Sequence, residues 1–230
     1  MTLSITESPK IKRPLTTKQR NIIVIISLVI GIIIFIIAYV SMSQKIGLDA
    51  FNQPILEWMV SHRNATITDI AKIITTIANP IVFASIVGLI VIIWAIVKRE
   101  IWRPVLLAGA MATAAATSII LKSVIQDARP PQIDMVPMFE TDFSFPSGHT
   151  IGMAVFLLVI GYLIYSRHFS ALRFWVWIIM ALIGTSLIAL SRLYLGYHWL
   201  TDVVASLGLG LIILAIVIFV DSIFIRRRNI

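Results

Sequence analysis

The chain has 230 residues, 59% of them hydrophobic and only 13% charged, with a formal net charge of +8 and no cysteine. Its mean hydropathy is +0.96. Too little polar surface exists to coat a water-soluble globule of this size, and the same composition excludes a disordered or collagen-like chain. Without cysteine there is no disulfide, thiolate nucleophile or thiolate-bound metal. The chain belongs in a bilayer.

A basic stretch, 1–20, precedes six runs that lack Asp, Glu, Lys and Arg: 21–44, 73–97, 104–121, 150–166, 174–191 and 203–220. A helix needs about 20 apolar residues to cross a hydrocarbon core of about 30 Å. Runs slightly short of that are completed by flanking charged residues that snorkel. Backbone polar groups cannot go unpaired in lipid, so the expected fold is all-α, a single integral-membrane domain, 1–230, of six transmembrane helices. The first run is too long for a signal-peptide core and no small-x-small cleavage site follows it, so it is expected to be retained.

Between the first two runs, 51–63 mixes Ile55, Leu56, Trp58 and Met59 with Glu57, His62 and Arg63, which reads as an interfacial segment. In 66–77, Ile67, Ile70, Ile74 and Ile77 recur at helical spacing with Asp69 and Lys72 off that face. That segment either lies along the membrane surface or continues into the second span, and Pro80 kinks or restarts the helix. The small residues of 108–117 predict close helix packing in the third span. Trp102, Trp175, Trp177 and Trp199 read as interfacial belt residues. Asp134, Glu140 and Asp142 read as an ordinary solvated acidic loop.

The basic residues sort by side. Lys10, Lys12, Arg13, Lys18 and Arg20 precede the first span, and Lys98, Arg99 and Arg103 separate the second from the third. Arg167 and Arg173 separate the fourth from the fifth, and Arg226, Arg227 and Arg228 close the chain. With six spans all of these share one side, and the positive-inside rule makes it cytoplasmic, with both termini there. Topology thus explains the basicity, and a nucleic-acid partner is not expected. Lys45, Arg63 and Lys72 lie near an interface and need no special role. Lys122, Arg129 and Arg192 are different, because they sit at the outer ends of spans, where topology gives no reason for a cation.

Three stretches converge on that outer end. Lys122 closes the third span, with Arg129-Pro130 six intervening residues later; Pro146-Ser147-Gly148-His149 opens the fourth; Ser191-Arg192 closes the fifth, and His198 and Asp202 open the sixth. Three cations suit a dianionic phosphate better than a carboxylate, and Arg adds bidentate geometry. Ser147-Gly148 at a helix start offers backbone N–H groups and the positive end of the helix dipole. His198 and Asp202, four residues apart, share a helix face on which the carboxylate can hold the imidazole in one tautomer. An oriented histidine beside a clamped phosphate is a nucleophile or base candidate, and His149 opposite it an acid candidate.

Lys122-x6-Arg129-Pro130, Pro146-Ser147-Gly148-His149 and Ser191-Arg192-x5-His198-x3-Asp202 resemble the tripartite signature of the type 2 phosphatidic acid phosphatases. That superfamily also includes bacterial undecaprenyl-pyrophosphate and phosphatidylglycerophosphate phosphatases, glucose-6-phosphatase and the soluble vanadium haloperoxidases. The resemblance implies that His198 attacks phosphorus to form a phosphohistidine and that Asp202 orients it. It implies that His149 protonates the leaving oxygen and then activates water, while Lys122, Arg129, Arg192, Ser147 and the Gly148 amide hold the phosphate oxygens. No metal or cofactor is implied. The expected partners are a lipid phosphate substrate and membrane lipids, with no obligate protein partner. The stretch from Asp127 to Phe145 is short, so no counterpart of a larger extracytoplasmic domain is expected. Bacterial plasma membrane with an outward-facing site is the expected location. A non-catalytic lipid-phosphate binder or transporter is the alternative, although such a protein would be expected to lose His149, His198 or Asp202. A haloperoxidase is disfavoured by the six spans.

Overall fold

The computed structural model describes residues 14–137, 140–167 and 170–228, apart from the side chains of 226–228. Lys10, Lys12, Arg13 and His168, and the Arg226, Arg227 and Arg228 side chains, lie outside the described residues. Eight α-helices form, and there is no strand among the described residues. Six of them are long and apolar enough to cross a membrane: α1 (Thr17–Gln44), α4 (Pro80–Lys98), α5 (Trp102–Ile125), α6 (Gly148–Tyr165), α7 (Ala171–Tyr194) and α8 (Leu200–Arg228). The two shorter ones are α2 (Asn52–Ser61) and α3 (Ala65–Ile77).

Local chemistry sets the helix ends. A capping box starts α1: Thr16 Oγ1 accepts from the Gln19 N–H at 3.2 Å, and Gln19 Oε1 accepts from the Thr16 N–H at 2.9 Å. At the other end the chain turns through Lys45 in the left-handed region. Asn64 Oδ1 caps α3 by accepting from the Ile67 N–H at 2.9 Å. The charge-free run 73–97 is not one helix. It breaks at Ala78–Asn79, where Asn79 Oδ1 accepts from the Ile81 N–H at 3.0 Å and Pro80 takes the first turn of α4. Pro80 therefore restarts the helix, and 65–77 is a separate element beside the second span.

α1 and α8 form the most extensive helix pair. They run antiparallel and touch backbone to backbone, since a Cβ added at Gly31 would sit 2.7 Å from the Gly208 carbonyl oxygen, and one at Gly208 equally close to that of Gly31. α8 also packs on α6, and α6 on α5 and α7, so α6 and α8 form the centre of the bundle. Val155, Val159, Leu163, Leu107 and Ile218 are fully enclosed there. α4 lies outermost, chiefly against α5.

Polar groups collect at the two ends. At the end where α1 begins and α8 finishes, Asp221 accepts from Arg20 Nη1 at 2.8 Å, the Tyr162 hydroxyl at 2.6 Å and Trp102 Nε1 at 2.9 Å. Arg103 donates to the Leu163 carbonyl and to Ser166 Oγ beside them. Apart from half-buried Trp102 these residues are buried, so the pairing satisfies charges that would otherwise be costly. Both termini of the described chain thus lie at one end. The opposite end gathers the close of α5, the start of α6, the close of α7 and the start of α8, with α2 and α3 packed beside them on α7.

The small residues of α5 serve two faces. Ala110 and Ala114 are buried in the bundle, which is the close packing expected. Ala114 also borders a cavity of about 710 Å³, which Ala108, Ala112 and Ala115 of α5 and Ala84 and Gly88 of α4 line from the outer side. Ala84, Ala108, Ala112 and Ala115 are exposed on the outside of the bundle, so the cavity opens sideways between α4 and α5. Of the tryptophans, Trp102, Trp177 and Trp199 tie segments together, through hydrogen bonds to Asp221, to the Leu157 carbonyl and to the Ala128 carbonyl. Trp175 is exposed as a belt residue should be.

Candidate active site

The lateral cavity ends at the polar end of the bundle, where Lys122, Arg129, Gly148, His149 and His198 form its wall. It is apolar along α4 and α5 and charged at one end, and its volume is ordinary for a ligand site.

His198 lies between α7 and α8, buried, and its two ring nitrogens face different partners. Nδ1 is 3.1 Å from Asp202 Oδ2, and Nε2 is 3.3 Å from Arg129 Nη1. A guanidinium can only donate, so Nε2 accepts and Nδ1 carries the proton toward the carboxylate. Burial, reinforced by Arg192, Arg129, Lys122 and His149, holds the His198 imidazole well below its usual pKa. It is therefore neutral, with the Nε2 lone pair turned to the cationic end of the cavity.

Asp202 is completely buried in the first turn of α8. Its Oδ2 accepts from the Trp199 N–H at 2.8 Å and the Ser144 hydroxyl at 2.5 Å, besides His198. The helix N-terminus favours the negative charge. Ser144 escaped the sequence reading. It lies just before the Pro146-Ser147-Gly148-His149 stretch, but a serine in a loop carries no signal that it will reach a carboxylate 58 positions away.

Ser147 precedes α6 but does not cap it with its side chain. Its hydroxyl accepts instead from Thr150 Oγ1 at 3.0 Å, it is fully buried, and it does not reach the cavity wall. The first-turn amides of Gly148 and His149, which do line the cavity, are left without intrahelical partners. Gly148 sits close against α5, where a Cβ would meet Ser118 Oγ at a tight 3.3 Å.

The three expected phosphate cations come together, but not as bare charges. Asp142 bridges Lys122 Nζ at 2.9 Å and Arg129 Nη2 at 2.5 Å. Glu140 bridges Arg129 Nη2 at 2.8 Å and Arg192. Arg129 Nε also donates to the Asp142 carbonyl at 2.7 Å, and Lys122 donates to that of Phe143. Burial alone would push the Asp142 carboxyl up, but Lys122 and Arg129 together hold it below its ordinary value. Glu140 and Asp142 are therefore more than a solvated acidic loop: the Asp142 side chain keeps 58% of its surface exposed, yet both carboxylates are folded onto the cations. Asp134 differs: its contact with Arg63 is through its backbone oxygen, which accepts from Arg63 Nη2 at 2.7 Å.

Arg192 is 1% exposed and does not line the cavity, because Glu140 stands between them. It donates to Thr75 Oγ1 of α3 at 2.8 Å, and its guanidinium lies 4.5 Å from the centre of the Tyr197 ring. Thr75 is thus how the separate helix α3 reaches the site. Among the described residues no group of three His, Asp or Glu side chains converges as a metal-ligating cluster.

Known proteins resemble this chain in sequence and in fold. The phosphatidylglycerophosphatase B of Bacillus subtilis (strain 168) is 34% identical over 134 residues. The aligned part is 57% of this chain and spans 64% of that relative's length. The crystal structure of a transmembrane PAP2 type phosphatidylglycerolphosphate phosphatase from Bacillus subtilis superposes with a TM-score of 0.70 at 23% identity. That superposition covers 84% of this chain and 96% of the other, and it establishes the shared fold. A match to the PAP2 superfamily runs from residue 103 to 224, from the start of α5 through nearly all of α8 and every residue of the cationic pocket, and the chain belongs to that superfamily.

Proposed function

We propose that this protein is a metal-independent phosphatase of membrane lipid phosphates. The observation that carries the reading is a single cavity joining an apolar, sideways-opening groove on α4 and α5 to Lys122, Arg129, His149 and His198. An amphiphile fits that combination: hydrocarbon in the groove, phosphate at the cations.

In the proposed reaction His198 Nε2 attacks phosphorus, and the bond from phosphorus to the leaving oxygen breaks. His149, which takes up a proton as the anionic phosphate binds beside it, donates that proton to the leaving oxygen. Asp202 stabilises the positive charge that the phosphorylated ring acquires. His149, now neutral, takes a proton from water, whose oxygen attacks the phosphohistidine and releases inorganic phosphate, restoring His198. Lys122, Arg129, Arg192 and the Gly148 and His149 amides neutralise the equatorial oxygens in both steps, the task a metal performs elsewhere. The Ser147 side chain supports the start of α6 in this scheme and touches no substrate.

In this reading the protein lies in a bacterial plasma membrane; the clustering of basic residues at the terminal end supports cytoplasmic termini and a site on the extracytoplasmic side. Undecaprenyl pyrophosphate, phosphatidylglycerophosphate and phosphatidic acid all present a phosphate at that depth. The name of the 34%-identical relative favours phosphatidylglycerophosphate among them.

The test is phosphate release by purified protein in detergent with excess EDTA on each of the three lipids, beside His198→Ala. Release by the wild type that the substitution abolishes supports the mechanism, and the ranking chooses the substrate. Equal release by both proteins refutes His198 as nucleophile. Stoichiometric binding of all three lipids without release identifies a binder or transporter instead.

A further inference from the structure

Lys122, Asp142, Arg129, Glu140 and Arg192 form an unbroken chain of alternating charge across the polar end of the cavity. The two carboxylates occupy the cations that the proposed reaction needs for its phosphate. They belong to the connection that leads into the Pro146-Ser147-Gly148-His149 turn, and both reach the cavity wall that His149 and His198 share. Neither is locked in place by burial: the Asp142 side chain is 58% exposed and that of Glu140 25%.

From this geometry we infer that Glu140 and Asp142 are specificity-determining residues, an internal dianion that only a phosphate group of at least equal charge displaces. The inference rests on the phosphatase reading above. Three cations and two carboxylates leave the resting site with one net positive charge. A phosphomonoester carries about 1.5 to 2 negative charges near neutral pH, so exchanging it for the two carboxylates leaves that balance nearly unchanged. A phosphodiester head group carries one negative charge. Exchanging it for the carboxylates leaves two positive charges without partners in a site largely closed to water, which is unfavourable.

A protein facing the bilayer has to make this distinction. Ordinary phospholipids are phosphodiesters with the same two-chain shape as a lipid phosphomonoester, and they vastly outnumber it. The apolar groove, lined by alanine, glycine and valine along α4 and α5, has nothing with which to tell one acyl chain from another by its head group. Three uncovered cations would hold any phosphate that entered. Arg192 illustrates the effect: Glu140 screens it from the cavity, so a ligand meets Arg192 only after moving Glu140 aside.

The test uses full-length protein in detergent at pH 8. Binding of inorganic phosphate, a dianion there, and of dimethyl phosphate, a monoanionic diester, is measured calorimetrically for wild type, Asp142→Asn and Glu140→Gln/Asp142→Asn. The double variant is expected to gain about tenfold or more in affinity for dimethyl phosphate relative to inorganic phosphate. Asp142→Asn alone, at an exposed position that does not endanger folding, is expected to move the ratio the same way by about threefold. In a phosphate-release assay, added phosphatidylglycerol is expected to inhibit the double variant competitively and the wild type little. An unchanged affinity ratio in Asp142→Asn and the double variant overturns the inference. So does weaker binding of both anions, which would make the carboxylates scaffolding for the cations. Because the binding ratio needs no turnover, a shifted ratio with no phosphate release from any lipid upholds the screen while refuting the phosphatase reading.

Discussion

Asp202→Asn tests how the buried carboxylate acts on His198. Asparagine keeps an oxygen for the Trp199 N–H and the Ser144 hydroxyl, now 2.8 and 2.5 Å from Oδ2, so the turn into α8 should persist. What disappears is the charge 3.1 Å from His198 Nδ1. His198 is neutral at rest and becomes positive only when Nε2 bonds to phosphorus, so the interaction exists in the transition state and barely in the ground state. Placing the ring charge about 4 Å from the carboxylate with an effective dielectric constant of about 20 gives about 4 kcal/mol. That corresponds to about a thousandfold in kcat. KM should stay within a few-fold, because Asp202 does not line the cavity. The tautomer itself should survive, since Arg129 donates to Nε2 from the other side. The assay is steady-state phosphate release by wild type and variant, with thermal melting in the same detergent as a control on folding. A variant within tenfold of wild-type kcat, or one impaired only through KM, refutes the reasoning.

Other perturbations probe separate parts of the molecule. Nitrogen-15 NMR of labelled histidine should find His198 neutral at pH 6.5, where a free imidazole is half protonated, because its folded pKa is lowered. Proton uptake by His198 therefore opposes folding, so its unfavourable contribution grows as pH falls below about 6.5 toward the folded value; a half-point at or above 6.5 contradicts this. Gly208→Val should lower the melting temperature by several degrees, since even its Cβ would meet the Gly31 carbonyl oxygen at 2.7 Å, and overpacking of this kind costs about 1–3 kcal/mol. Asp221→Leu should destabilise by about 3–5 kcal/mol by stranding buried Arg20, and Arg20→Met in the same chain should restore most of the loss in melting temperature. Equal melting temperatures for the single and double variants would show that the pair is not coupled.

Six spans and the grouping of Lys122, Arg129, His149, Arg192, His198 and Asp202 at one end were legible in the sequence, because charge-free length and span-end position are one-dimensional properties. The break between α3 and α4 was not, because a run defined by missing charge does not register Asn79 as a cap or Pro80 as a helix start. The dual use of the small residues in α5 was hidden for a similar reason: Ala110 and Ala112 are alike in composition and differ only in the face on which they fall. The pairing of Glu140 and Asp142 with cations was not legible, because only the folded loop brings them to partners as far as 52 positions away. Ser147 was expected to hold the phosphate, but its hydroxyl turns inward to Thr150, a side-chain direction that a position at a helix start does not reveal.

The gap between α4 and α5 bears on how the kinetics of this protein should be expressed. A ligand entering sideways comes from the surrounding lipid and never crosses bulk water, so the quantity that sets occupancy is its mole fraction in the bilayer. Extra detergent or inert lipid dilutes the substrate even when its total molarity is constant. Michaelis constants for this protein therefore belong in mole per cent, and two laboratories using different micelle loads will agree only on that scale.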